Sequence, residues 1–223
     1  MAVQFSTKPP RGAGSDELNN ASRWQGIRAP GGYQRRKPGR CDVYSNQSHD
    51  EPLAALVNNA GILFTQCTVE NLTAERINPV FHQRDGISLC RREAVKRMAL
   101  KNGGSGGATS MCFGGLGSGS PREYVDYAAS KGAIDSQPPD YRWNSPRRGS
   151  ALNCVRPGFY LYRNARSGGE PGRVDRVKSN IPMQRGGQAE EVAQAIVWLL
   201  SDKASYVTGS FIDLAGGNKT GKL

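Results

Sequence analysis

The chain has 223 residues, of which 37% are hydrophobic and 22% charged, and its net charge is +11. This length predicts a single domain over residues 1–223 that is large enough to bury a sizeable core. No apolar run approaches the roughly 20 residues that span a bilayer, and the first 30 residues have no apolar segment typical of a signal peptide. We therefore expect a cytoplasmic protein with no membrane partner.

The five cysteines are scattered along the chain and form neither a CxxC motif nor a cluster with histidine. This pattern favours reduced thiols and suggests neither a disulfide framework nor a zinc site. We expect no bound metal.

The positive charge is concentrated in three stretches, residues 1–50, 137–150 and 159–166, which together carry +8 of the +11. In these stretches arginine is mixed with proline and glycine, without the periodicity of an ordered element. A surface that follows phosphates is expected on an ordered element or on a basic tail with interleaved aromatics. Nucleic-acid binding is therefore an alternative rather than the expected function.

Residues 1–50 contain only five Val, Ile, Leu or Phe residues. That fraction is below the ~20% at which a segment usually becomes ordered, and four prolines further disfavour regular structure. The glycines at 11–14 and 28–32 follow no apolar strand, so they do not indicate a phosphate-binding turn. We predict no regular fold for this stretch.

The pattern changes at Glu51. The apolar run 53–57 predicts a strand buried on both faces, and Asn58, Asn59, Ala60 and Gly61 form a loop at its carboxyl end. Ligands of open α/β sheets bind at such ends, although an ordinary Asn/Gly turn explains the same residues equally well.

Residues 68–78 predict the start of a helix, and the pattern breaks at 79–88 before helical signal resumes over 89–100. Residues 106–119 are rich in glycine and have no alternation typical of a strand.

The stretch 124–133 predicts a helix of small residues on which Tyr127 and Lys131 lie four apart, on one face. A phenol beside an ammonium can move protons, since a positive charge favours the phenolate and lowers a phenol pKa from its reference value of about 10. The same spacing also occurs on many solvated helices.

The rest of the chain alternates strand and helix signals. Residues 152–155 predict a strand that ends in a turn at 156–158. Residues 189–201 predict an amphipathic helix, and residues 210–214 predict a last strand.

The ordered blocks 56–61, 127–133, 153–158 and 206–217 resemble the short-chain dehydrogenase/reductase family, and in particular the bacterial three-oxoacyl carrier-protein reductases and sugar dehydrogenases. The resemblance implies a Rossmann-like, doubly wound parallel α/β sheet that binds NADP or NAD, with NADP preferred. It also implies an oxidoreductase that transfers a hydride between this cofactor and an alcohol or carbonyl substrate. A sugar, a 3-oxoacyl thioester and a small ketone are the substrate classes. Homodimers or homotetramers, paired through the Tyr/Lys helix, are the implied assemblies.

The resemblance also assigns roles to individual residues. Tyr127 would be the catalytic acid/base, and Lys131 would assist it and hold the nicotinamide ribose. The remaining cofactor-binding residues would be Asn58, Asn59, Ala60, Gly61, Pro157 and Gly158.

Several family features do not match. The first strand and its glycine-rich turn are absent from residues 1–50, and an expected Asn falls within 79–88, which does not match. The family's catalytic serine position falls in the window 113–115, which has no serine, so Ser110 is the candidate for contacting the substrate.

The mismatched blocks begin abruptly and nearly preserve the spacing between motifs. We therefore hypothesise that 4–50, 79–88, 109–117, 137–150 and 159–166 are frame-shifted translation. A catalytically inactive relic, acting as a binding or scaffolding module, is the alternative.

Overall fold

The computed structural model describes residues 3–7, 53–59, 61, 63–112, 123–136, 149–161, 170 and 172–218. Seven strands are described: β1 (Val3–Thr7), β2 (Leu53–Asn58), β3 (Gly107–Cys112), β4 (Ser150–Pro157), β5 (Tyr160–Leu161), β6 (Gly187–Gln188) and β7 (Phe211–Leu214). Five of them form a sheet in the order β1-β2-β3-β4-β7, and β5 pairs with β6 in a separate parallel ribbon.

The central sheet is parallel from β2 to β7. Val57 is in register with Ser110, which is in register with Asn153, and Cys154 is in register with Phe211. β1 pairs with β2 in the antiparallel direction. An antiparallel strand at the edge of a parallel sheet is common in large mixed sheets.

Four helices are described: α1 (Ala74–Met98), α2 (Val125–Asp135), α3 (Arg173–Val177) and α4 (Ala189–Leu200). Thr73 caps α1 by accepting a hydrogen bond from the Arg76 amide. The Gln188 and Glu191 side chains form a capping box at the start of α4. Among the described helices, none has both the length and the apolar character needed to cross a bilayer.

The helices cover both faces of the sheet. On one face, Leu56 of β2 packs with Ala94 and Met98 of α1. On the same side, Ile87 of α1 and Ile134 of α2 pack with a group of sheet residues, Leu152, Cys154 and Phe211.

On the other face, Ile196 and Leu199 of α4 pack with Val155 of β4. Complete burial of such a side chain contributes roughly 1.5–3 kcal/mol. The predicted Rossmann-like α/β architecture is confirmed, as is the apolar stripe of the helix predicted over 189–201.

The predicted break over residues 79–88 is wrong, because these residues lie inside α1. Pro79 and Gly86 are helix breakers, but Val80, Ile87, Ala94 and Met98 recur at helical spacing and are all buried. Packing of this stripe against the sheet outweighs the local cost of the two breakers.

Three further segments that were predicted not to match the fold contribute strands. Residues 109–112 lie in β3, residues 3–7 form β1, and Tyr160–Leu161 form β5. β3 starts within the glycine-rich stretch 106–119 and lies between β2 and β4, so its neighbours on both sides hold it extended. Phe159, which precedes β5, is also described. In the fourth segment, 137–150, only Gly149 and Ser150 are described, and Ser150 begins β4. The remaining parts of these four segments lie outside the described residues.

Candidate active site

The candidate site lies at the carboxyl edge of the parallel sheet. Asn58 is the last residue of β2 and Pro157 is the last residue of β4. Because these strands run in the same direction, their ends open at one edge, where α/β folds bind ligands. Two sequence blocks that are almost 100 residues apart are thereby placed along one edge.

Helix α2 brings Tyr127 and Lys131 to the loop that follows β2. The Lys131 Nζ atom lies 5.0 Å from the centroid of the Tyr127 ring. It also lies 3.9 Å from the position that a Cβ atom would occupy at Gly61. Lys131 is buried and Tyr127 is half-buried. The structure therefore joins the Asn/Gly loop and the Tyr/Lys helix, which sequence could place only on separate elements.

Asn58 is 1% exposed, yet neither Nδ2 nor Oδ1 of its amide has a hydrogen-bond partner among the described residues. A buried unpartnered amide is costly, because it has lost its water without gaining a replacement. Such a group at the ligand-binding edge suits a polar ligand that provides a donor and an acceptor. Asn59 and Gly61, next along the loop, are exposed.

Gly158 lies where β4 meets the chain that follows β7. Its amide donates to the Leu214 carbonyl at 3.0 Å. A Cβ atom at this position would lie 3.0 Å from Ala215 Cα, so any larger residue would require Ala215 to shift by a few tenths of an ångström. The predicted turn at 156–158 is wrong, because Arg156 and Pro157 lie in β4 and Gly158 directly follows the strand. The pairing of β4 with β7 holds these residues extended.

Ion pairs hold both ends of α2. At its start, the Arg76 Nε atom donates to Asp126 Oδ2 at 2.9 Å, and the Asp126 side chain is 2% exposed. Near its end, Arg156 of β4 contacts Asp135 through two donors, at 3.2 and 3.4 Å. Burial raises the pKa of the Asp135 carboxyl, and the Arg156 charge opposes that rise. These contacts fix Tyr127 and Lys131 between α1 and the sheet.

The structure brings some of the predicted site residues together, and others lie outside its described residues. Gly61, Tyr127 and Lys131 lie close together. Asn58 ends the strand three residues before Gly61, and Pro157 and Gly158 lie along the same sheet edge. Ala60 and the window 113–115 lie outside the described residues.

Ser110 lies within β3. It is fully buried, and its Oγ has no partner among the described residues. The role of Ser110 stays a prediction.

Sequence reasoning missed the two ion pairs. Asp126 stands in the first turn of the predicted helix, where a carboxylate is favoured, but its partner lies 50 residues earlier. Arg156 was interpreted only as part of a turn, although it also stacks on Phe211 with 3.8 Å between the guanidinium carbon and the ring centroid.

Within the described residues, Cys67, Cys90 and Cys154 form no disulfide, and burial strongly raises the pKa of the Cys154 thiol. No group of three or more metal-ligating side chains occurs in that part of the chain.

Comparison with known proteins places this geometry in context. Residues 44–219 match the family model described as "Enoyl-(Acyl carrier protein) reductase". The chain is 74% identical to the uncharacterized oxidoreductase YgfF of Escherichia coli over 171 residues, which cover 76% of the chain and 69% of that protein.

The second comparison is with the 3-oxoacyl-[acyl-carrier-protein] reductase FabG of Buchnera aphidicola. It is 30% identical over 162 residues, which cover 73% of the chain and 65% of that protein, so the chain spans less than two thirds of its length.

Among solved structures, a 3-ketoacyl-(acyl-carrier-protein) reductase from Brucella melitensis, complexed with NADH, superposes with a TM-score of 0.68. The two share 22% identity over 75% of the chain and 68% of that structure, a likeness that supports the fold.

Proposed function

Since the chain belongs to the short-chain dehydrogenase/reductase family of oxidoreductases, we propose that it transfers a hydride between a nicotinamide cofactor and an alcohol or carbonyl substrate. Tyr127 is the acid/base of this reaction and Lys131 assists it. The observation that carries the proposal is the position of the Lys131 ammonium between the Tyr127 ring and Gly61.

Tyr127 moves the substrate proton. In the reducing direction its phenol donates a proton to the substrate oxygen, and in the oxidising direction its phenolate accepts one from the hydroxyl. Lys131 attracts the negative charge that develops on the phenolate oxygen, because an opposite charge nearby favours the ionised form. The half-buried setting strengthens this attraction relative to bulk water.

The residues present suit the nicotinamide end of a dinucleotide. Asn58 offers a buried donor and acceptor without partners, and Lys131 offers an ammonium that can donate to ribose hydroxyls. The loop residues Asn59, Ala60 and Gly61, together with Pro157 and Gly158, would complete this side of the site. When bound, the nicotinamide supplies or accepts the hydride.

A pair of matched variants tests the role of Tyr127. We expect Tyr127→Phe to reduce kcat for NAD(P)H-dependent carbonyl reduction by at least a hundredfold, the usual scale of lost acid/base catalysis. Tyr206→Phe is the control, because Tyr206 is fully exposed and should keep wild-type activity. Equal kcat values for Tyr127→Phe and wild type would reject the assignment.

Lys131→Met should also lower kcat, whereas Lys96→Met should not. Lys96 is an exposed lysine on α1 that contacts Glu93. Unchanged kcat in Lys131→Met would exclude the ammonium from the reaction.

For the substrate we propose a sugar, a 3-oxoacyl thioester or a small ketone, and for the cofactor NADP in preference to NAD. One representative of each substrate class, assayed with both cofactors under the same conditions, tests this. A higher kcat/KM with NADP than with NAD is the expected result, and the reverse order would contradict the cofactor proposal.

We propose a homodimer or homotetramer that pairs through α2. Its small residues Ala129 and Gly132 are exposed, and a Cβ atom at Gly132 would meet nothing within 4 Å. Gly132→Leu is therefore compatible with the isolated chain but would obstruct close helix packing between copies. Light scattering should give a smaller mass for Gly132→Leu than for wild type, and an unchanged mass would rule out this interface.

We also propose a cytoplasmic location. The three described cysteines, which form no disulfide, suit a reducing compartment. Cell fractionation should recover the protein in the cytoplasmic fraction, and recovery elsewhere would contradict this.

A further inference from the structure

The guanidinium of Arg173 lies between two aromatic rings. Its Cζ atom is 5.1 Å from the Tyr124 ring centroid and 5.5 Å from the Phe159 ring centroid. Tyr124 is the residue before α2, and its side chain is buried. Phe159 directly follows Gly158. Arg173 therefore contacts the residue before the Tyr/Lys helix and the residue after Gly158.

Arg173 makes no described ion pair, and its buried Nε has no hydrogen-bond acceptor among the described residues. The two nearest acidic residues in sequence are both engaged. Asp175 accepts from Lys178 at 3.1 Å. Glu170 has two other partners. One of its oxygens accepts from Arg176 at 2.6 Å and the other accepts from Gln66 at 3.1 Å. The hydrogen bond from Arg176 and, to a lesser degree, the nearby charge of Arg173 lower the pKa of the Glu170 carboxyl.

A buried guanidinium nitrogen without an acceptor is costly, and native proteins rarely leave one. Stacking against rings satisfies the faces of a guanidinium, but its donors lie in the plane at its edge. Those donors match a carboxylate or a phosphate. The missing acceptor is thus explained if a ligand provides it.

We infer that Arg173 is a specificity-determining residue that binds a carboxylate or phosphate group of the substrate. The substrate class is a carbonyl or hydroxyl compound that carries an anionic group. This inference rests on the proposed function, because it places the reacting carbon of the same substrate at Tyr127.

Two ketones of similar size test the inference. Acetoacetate carries a carboxylate where pentane-2,4-dione carries a neutral acetyl group. Dissociation constants are measured by ligand-observed NMR titration with NADPH present, which needs no turnover. We expect wild type to bind acetoacetate at least about tenfold more tightly than pentane-2,4-dione, which is the scale of a charge-assisted hydrogen bond. Equal affinities would overturn the inference.

Arg173→Gln should abolish this preference and Arg173→Lys should restore part of it, while the affinity for pentane-2,4-dione stays unchanged. Arg92→Gln is the control, because Arg92 is an exposed arginine that contacts Glu93, and it should keep the full preference. If Arg173 had a purely structural role, Arg173→Gln would lower the affinity for both ketones equally. That result would also overturn the inference.

Inorganic phosphate, added as a competitor, distinguishes the two anions. Displacement of acetoacetate by phosphate in wild type indicates that the site accepts either group, and absence of displacement restricts the substrate to carboxylates.

Tyr127→Phe separates this inference from the proposed function. That variant should lose turnover but keep the preference for acetoacetate. Loss of the preference together with turnover would overturn the assignment to Arg173. Normal turnover with the preference intact would reject only the role of Tyr127.

Discussion

Arg76 donates from Nε to Asp126 Oδ2 at 2.9 Å, which ties α1 to the first turn of the helix that carries Tyr127 and Lys131. The same Asp126 carboxylate accepts from the Tyr127 amide at 2.8 Å through its other oxygen. One buried carboxylate therefore fixes both the start of α2 and its distance from α1.

Asp126→Asn should destabilise the fold by about 3 kcal/mol, because it leaves the partly buried Arg76 charge without a counter-charge. Urea unfolding measures this loss. Glu93→Gln is the control, since Glu93 pairs with exposed partners, and it should cost less than about 1 kcal/mol. Equal losses of unfolding free energy in the two variants would show that the Arg76–Asp126 pair contributes no more to stability than an exposed ion pair.

Gly158→Ala should destabilise the chain by about 1–3 kcal/mol, because the added Cβ would lie 3.0 Å from Ala215 Cα. Gly172→Ala is the matched control, as a Cβ there meets nothing within 4 Å. Thermal unfolding of both variants checks the difference. A Gly158→Ala variant as stable as Gly172→Ala would mean that the contact between the two backbones relaxes without cost.

Glu191→Gln should make the free energy of unfolding decrease less as the pH is lowered. Hydrogen bonds from Arg185 and from the Gln188 amide hold the pKa of the Glu191 carboxyl at about 2, below its ordinary 4.5. A lowered carboxyl pKa contributes stability above pH 4.5 that is lost as the pH falls towards about 2. The stability difference between wild type and Glu191→Gln should therefore shrink over this range.

Unfolding of the two proteins at several pH values gives that difference, and Glu190→Gln is the control for a neighbouring exposed carboxylate. A difference that stays constant with pH would contradict the assignment.

Some strands and helices after residue 51, β2, α2, β4, α4 and β7, could be predicted because each stands in a block with its own sequence pattern. Residues 53–57 of β2 are a continuous apolar run, and the apolar residues of α4 recur at helical spacing. The course of α1 could not be predicted, because Pro79 and Gly86 signal a break and only packing against the sheet overrides them. The position of β3 depends on its neighbours for the same reason.

The parts of the candidate site that lie within one short sequence block could be predicted. The contacts between residues that are far apart in sequence could not. Tyr127 and Lys131 share a helix face, so four-residue spacing identifies them. The contacts of Arg76 with Asp126 and of Arg173 with Tyr124 join residues that are 50 and 49 positions apart, and no local pattern reports them.

The frame-shift hypothesis makes a separate prediction about the gene. If 4–50, 79–88, 109–117, 137–150 and 159–166 are read out of frame, another reading frame there should give alternating apolar residues and a glycine-rich turn after the first strand. Sequencing the gene checks this. If neither of the other two frames gives such patterns, the hypothesis is rejected and the chain is a divergent homologue.

The role of Tyr127 is tested most directly by single-turnover hydride transfer, measured as NADPH oxidation after mixing the enzyme–NADPH complex with excess ketone. Fluorescence titration first establishes that wild type and Tyr127→Phe bind NADPH equally well. We predict equal NADPH affinity and a transfer rate at least a hundredfold lower in Tyr127→Phe. Equal transfer rates, or no transfer by wild type once NADPH is bound, would contradict this prediction.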